Sequence, residues 1–283
     1  MSYCFLRFPG GKLKAVTLSY DDGVKADLRL AKMLDEYGVK CTFNLNCAFD
    51  RPSKMTEDEV KENILAKGHE IAVHGERHMA PGVVQPHLAI RDVQRCREEL
   101  EGRFGIFVRG MAYPDSGITK MHGGNSYEEI RGYLKSLGIV YSRTLGSDHN
   151  RFLLPEDFLA WMPNAHHRNP KLMEYVESFV SVKESELYSS RRHPMVFYLW
   201  GHSYEFDNND NWYVMEDFLK AISGKDDTWY ATNMEIYEYA TAFNSLVFSA
   251  DGTKIYNPTL KTIWMDIGTV LYKIEPGETI EVK

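Results

Sequence analysis

Short apolar runs and amphipathic helical stretches take turns along the first 244 residues, and several of the runs end on a reactive side chain. Ala15-Val16-Thr17-Leu18 reads as a buried strand and delivers Ser19-Tyr20-Asp21-Asp22-Gly23 at its C-terminal end. Residues 24–37 then place Leu28, Ala31, Leu34 and Tyr37 at helical spacing until Gly38 stops the run. Val39 to Leu45 gives the next strand, and Thr56 with Glu59 is a capping box opening a helix that stops at Gly68. Glu70 to Val73 leads into His74, and a long charged helix covers 87–103. Gly105 to Val108 leads into Arg109 and on to Tyr113-Pro114. A second capping box, Ser126 with Glu129, opens a helix closed by Gly138. Ile139 to Ser142 and Phe158 to Met162 are further strands, 171–182, 211–223 and 234–244 are helical, and Met195 to Trp200 leads into Gly201-His202. Alternation repeated this often predicts parallel strands with helices outside. In barrels of parallel strands, the C-terminal strand edge is where active sites are built.

The pattern changes after residue 244. Ser245 to Ser249 precedes Ala250-Asp251-Gly252, a hairpin turn. Thr262 to Met265, Thr269 to Tyr272 and the turn Pro276-Gly277 follow without helical periodicity. Residues 1–244 are therefore expected to form the barrel, and 245–283 an antiparallel β extension packed on it.

Two carboxylates side by side at a strand end repel each other, and a metal or a catalytic role explains the doublet Asp21-Asp22. So does a plain Asp-Asp-Gly surface turn. His74-Gly75-Glu76-Arg77-His78 can present two imidazoles to one metal, although ten histidines allow chance pairs. The surface-turn reading weakens because four apolar runs each deliver a polar group at the same edge: Asp21-Asp22, His74, Arg109 and His202.

These motifs together resemble the polysaccharide deacetylase family, also called the NodB-homology or carbohydrate esterase family 4 group, over roughly residues 12 to 240. The family's T-F-D-D-G is here Ser19 to Gly23, and its H-[ST]-x-x-H is His74 to His78, with Gly75 in the hydroxyl position. Its Arg-Pro-aromatic motif is the looser Arg109-Gly110-Met111-Ala112-Tyr113-Pro114. Its Leu-x-His is Leu199-Trp200-Gly201-His202, one residue longer. The resemblance implies an irregular (β/α) barrel, seven-stranded rather than the regular eight. It implies a metal-dependent hydrolase that removes N-acetyl groups from an acetylated carbohydrate. It assigns Asp22, His74 and His78 as ligands of one divalent ion, zinc first, with cobalt, nickel or iron also suited to nitrogen and carboxylate donors. Asp21 would be the general base and His202 the general acid. Arg109 would pair with Asp21, and the backbone N–H of Tyr113 would stabilise the oxyanion. The alternatives are the same machinery acting on another linear amide or an O-acetyl ester, and a non-catalytic sugar-binding relative.

Other positions stay open. Asp148 or Asp157 could orient His202. His166-His167 is read first as a solvated loop and second as cleft lining. Trp161 and Trp200 are read as core before sugar platform, and Glu76 either as a partner of the ligands or as exposed. Composition changes the picture little: 43% apolar residues support a sizeable core, and a net charge of −7 argues against a nucleic-acid partner. No apolar run approaches the ~18 residues of a membrane span. No secretory signal is visible, and Cys4, Cys41, Cys47 and Cys96 form no C-x-x-C pair, so a cytoplasmic enzyme is expected. Oligomeric state is not readable.

Overall fold

The computed structural model describes residues 3–282 apart from Ala48, Asp50 and Ser147. In chain order the elements are β1 Cys4–Arg7, β2 Lys14–Asp21, α1 Ala26–Tyr37, β3 Cys41–Leu45, α2 Glu57–Asn63, β4 Glu70–Val73, α3 Pro86–Phe104, β5 Gly110–Ala112, α4 Tyr127–Ser136 and β6 Tyr141–Arg143. They continue with β7 Ala165–His166, α5 Leu172–Val180, β8 Met195–Gly201, α6 Tyr204–Asn208, α7 Tyr213–Ile222, β9 Thr228–Tyr230 and α8 Asn233–Asn244. The tail holds β10 Val247–Phe248, β11 Lys254–Tyr256, β12 Ile263–Ile267, β13 Val270–Ile274 and β14 Thr279–Glu281.

The main sheet is parallel, in the order β6-β5-β4-β3-β2-β8-β7, with β9 also pairing with β2. One stretch of chain spans the gap between its two ends: Trp161 bridges to Arg143 of β6, and Ala165-His166 pairs with β8. This is the expected irregular (β/α) barrel. Every residue of β2 and β8 is buried, which is why both read as continuous apolar runs rather than as alternating ones. The two-residue side-chain period sorts them. In β8, Met195, Phe197 and Leu199 pack under the outer helices, while Val196 and Tyr198 belong to a second cluster with Ala15 and Trp161. In β2, Val16, Leu18 and Tyr20 pack with the first cluster, so Ala15, Thr17, Ser19 and Asp21 take the other face.

Both capping boxes form, Thr56 with Glu59 and Ser126 with Glu129, and a third, Thr232 with Glu235, opens α8. Two strand expectations fail. Gly105 is the left-handed C-cap of α3, so the chain leaves that helix through 105–109 and enters β5 only at Gly110. Phe158–Ala160 is a 3-10 turn started by the Asp157 side chain, which accepts the Leu159 N–H. β1 was not expected from the sequence, because its partner β12 lies about 260 residues away, beyond the reach of any local pattern. β12, β13 and β1 form one antiparallel sheet, and β10, β11 and β14 another. Ile255, Ile263, Met265 and Ile274 of this tail share the second cluster with Ala15, Val196 and Tyr198 of the barrel. No helix among the described residues is long and apolar enough to cross a membrane.

Candidate active site

Asp21 closes β2, and its position on the inner face buries it almost fully. Arg143, the last residue of β6, pairs with its Oδ2, and Asn44 of β3 donates to its Oδ1 at 2.8 Å. Burial alone would push this carboxyl up, but Arg143, His74, His202 and the Asn44 hydrogen bond outweigh it and hold it below the usual carboxylate range. Asp22 follows in the left-handed region, at φ 83°, where a β-strand cannot continue. Its N–H is held by Asn44 O at 3.0 Å and its carbonyl accepts from Lys54 Nζ at 2.6 Å, so the strained turn is fixed from both sides. The doublet thus splits, with Asp21 held by Arg143 and also 3.8 Å from His74 Nε2, and Asp22 the carboxylate that reaches both His74 and His78.

His74 follows β4 and is buried. Its Nδ1 lies 3.0 Å from Ala112 O, which can only accept, so Nδ1 carries the proton and Nε2 presents its lone pair. Burial holds the ring below its ordinary pKa, and Nε2 has no hydrogen-bond partner. His78 returns across a turn at φ 58° and stacks edge-on to His74, ring centres 4.7 Å apart. Asp22 Oδ1 lies 4.0 Å from His74 Nε2 and 3.8 Å from His78 Nε2. These three residues offer donors all within 4.8 Å of one another. Asp115 Oδ2, 3.5 Å from His78 Nδ1, steadies the second ring. One oxygen and two nitrogens, with a buried imidazole nitrogen lacking any other partner, fit a divalent ion.

His202 follows β8 and sends Nε2 toward Asp21, 3.9 Å from Oδ2, and Nδ1 toward Glu205, 3.6 Å from Oε1. Burial pulls its pKa down, but Glu205, Asp21 and Asp22 pull harder the other way and raise it above the ordinary imidazole value. Glu205, in the first turn of α6, is also met by His167 Nε2 at 2.9 Å and His166 Nε2 at 3.4 Å. Asp148, His166, Arg168, Asn169, Pro170, Trp200, His202 and Glu205 line an open cleft of about 590 Å³.

Several sequence expectations are corrected. Arg109 does not reach Asp21: it is exposed and precedes β5, at the strand end away from the site. Arg143 holds Asp21 instead. The run Ile139 to Ser142 stopped one residue short of this arginine, although it ends on a charge like the other runs. The Tyr113 N–H is not free for an oxyanion, because it donates to Arg143 O at 3.0 Å. The Tyr113 hydroxyl is equally committed, to Leu159 O at 2.8 Å. Neither Asp148 nor Asp157 orients His202. Asp148 accepts from Asn169 and Tyr175, and Asp157 from Tyr127 and Arg131. Glu205 does so, three residues after His202, a helical spacing visible in the sequence. His166-His167 is not a solvated loop, since His166 lies in β7 and His167 is buried against Tyr20 and Phe206. Glu76 turns to Arg95, away from the ligands, at 3.4 Å. Trp161 is core; Trp200 lines the cleft with the Arg143 guanidinium 4.2 Å from its ring centre.

Two of the three departures from the family motifs, at Gly75 and Gly201, have a steric cause. A Cβ on Gly201 would lie 2.0 Å from His167 Nδ1, so the residue before His202 must be glycine for His167 to reach Glu205. A Cβ on Gly75 would lie 2.2 Å from Asp92 Oδ2.

Residues 10–140 match the family model for polysaccharide deacetylase, the family that the motifs resemble. This stretch contains the Asp-Asp-Gly and His-x-x-x-His motifs. A solved candidate polysaccharide deacetylase from Mycobacterium smegmatis is similar at a TM-score of 0.54, with 18% identity, covering 86% of this chain and 96% of that one. The Puue allantoinase is similar at a TM-score of 0.58, with 12% identity, covering 82% and 91%. Comparison with curated proteins gives no match.

Proposed function

We propose that the chain is a metal-dependent deacetylase acting on an N-acetylated sugar. The observation that carries this reading is the division of labour at one strand edge: three donors around one point, with a separate carboxylate and a separate imidazole beside it. Asp22, His74 and His78 would hold the ion. A divalent ion there would polarise the substrate carbonyl and activate the attacking water. Asp21, kept ionised by Arg143, takes a proton from that water. His202, held by Glu205, gives a proton to the departing amine. Zinc suits the donor set best, and cobalt, nickel or iron remain compatible with it.

The test is acetate release from N-acetyl sugars, their oligomers and O-acetyl esters, with allantoin added because one structural neighbour is an allantoinase. Release from an N-acetyl sugar by the wild type, lost in Asp21→Asn, supports the reading. Turnover of allantoin or esters alone would replace it, and no turnover in any arm would favour a sugar-binding relative.

A further inference from the structure

Away from the Asp22 group, a second set of donors converges on Glu205. His166 Nε2 lies 3.4 Å from Oε2 and His202 Nδ1 lies 3.6 Å from Oε1. The donors of His166, His202 and Glu205 all lie within 4.8 Å of one another. These gaps are long for hydrogen bonds, which close to about 2.7–3.2 Å. Each gap, one to either carboxylate oxygen, is near the length of a tetrahedral edge around an ion whose bonds measure about 2.0–2.2 Å, roughly 3.4 Å. His202 Nδ1 is buried with no hydrogen-bond partner, and all three residues line the 590 Å³ cleft, which supplies an entry path. His167 Nε2, 2.9 Å from Glu205 Oε2, fixes the carboxylate from behind, as outer partners of metal ligands do.

We infer that His166, His202 and Glu205 form a second divalent-cation site, of the zinc class, distinct from that of Asp22, His74 and His78. It is the weaker of the two. His166 Nδ1 accepts the Arg168 N–H at 3.1 Å, so an ion on Nε2 displaces the ring proton to Nδ1 and gives up that bond. The Arg168 guanidinium, 3.8 Å from Glu205 Oε1, also repels a cation. Occupation has a functional consequence, which rests on the proposed deacetylase reading. A His202 ring bound through Nδ1 keeps only the Nε2 proton, cannot carry the second one and so cannot act as the acid. Excess zinc therefore inhibits.

Chelator-stripped protein is dialysed against buffered free zinc and the bound zinc is counted, with circular dichroism checking that each variant is folded. The wild type takes two ions, the second at higher free zinc. His166→Asn and Glu205→Gln each raise the dissociation constant of the second at least about tenfold and keep the first. His78→Ala weakens the first and keeps the second. A wild type that binds one ion, lost in His78→Ala, overturns the second site. So does a second ion indifferent to both His166→Asn and Glu205→Gln. One ion lost only in those two variants keeps this site and removes the assignment of Asp22, His74 and His78.

Discussion

The Asp92 carboxylate fills the space that a side chain at Gly75 would take. It accepts the N–H of Arg77 at 2.7 Å and that of Met79 at 3.4 Å, while the Asp92 carbonyl takes the N–H of Glu76 at 3.1 Å. The loop carrying His74 and His78 is thus steadied from α3, where the family uses a hydroxyl inside the motif. Gly75→Ser alone should destabilise the chain, through the clash with Asp92 and a φ of 79°. Asp92→Ala alone should also destabilise it, by leaving loop N–H groups without an acceptor. Combining them should cost less than the sum, because the serine then has room and can serve the loop. Urea unfolding of the four proteins should give a coupling of about 0.5–3 kcal/mol. Strict additivity would mean that the two positions do not share the loop.

Arg143, not Arg109, should matter to the buried carboxylate. Arg143→Met leaves Asp21 buried without its cation and should cost about 3–5 kcal/mol in urea unfolding. Arg109→Ala, at an exposed position, should stay within about 0.5 kcal/mol. The reverse order would contradict the ion pair in the structure.

The contrast between these two arginines shows what was legible in the sequence. The barrel, both capping boxes and the convergence of Asp21, Asp22, His74, His78 and His202 follow from patterns local to the chain: apolar runs, helical spacing and motif. Arg109 failed because the end of a strand depends on where a helix stops. Gly105 ends α3 later than the apolar run Ile106 to Val108 suggests, which moves Arg109 to the wrong end of β5. Tyr113 failed because a free N–H is a property of the neighbouring strand, here β6. His167 and Glu205 meet only through the pairing of β7 with β8, and β1 pairs with a strand at the other end of the chain. No periodicity encodes such long-range partners.

Asp27 predicts a pH dependence of stability. It is fully buried in the first turn of α1, accepts from Ser203 Oγ at 2.6 Å, and leaves Oδ2 without a partner. Burial, with Asp22 and Asp21 nearby, pushes its carboxyl up to about 7. The unfolded chain releases that proton near pH ~4, so between about pH 4 and 7 the native state binds the extra proton. Stability from this group is therefore present at low pH and lost as pH rises toward 7. Asp27→Asn keeps the acceptor for Ser203 and removes the titration. Its melting temperature relative to the wild type should climb from pH 5 to pH 8; a constant difference would show that Asp27 does not retain its proton.

His202 should matter most when the leaving group is poor. An amine leaves badly unless protonated, so His202→Ala should cut turnover of an N-acetyl sugar by about 10²–10⁴. An aryl acetate, whose leaving group needs no proton, should suffer less. Equal losses on both substrates would remove the acid role from His202.

The most direct test joins metal content to turnover at the three-donor site. Acetate release from the best N-acetyl sugar and bound metal are measured together for chelator-stripped wild type, for the same protein given one equivalent of zinc or cobalt, and for His74→Ala. Stripping should abolish release, one equivalent should restore it, and His74→Ala should neither hold the ion nor turn over while remaining folded. Full turnover by folded protein with no bound metal would contradict the proposed metal dependence.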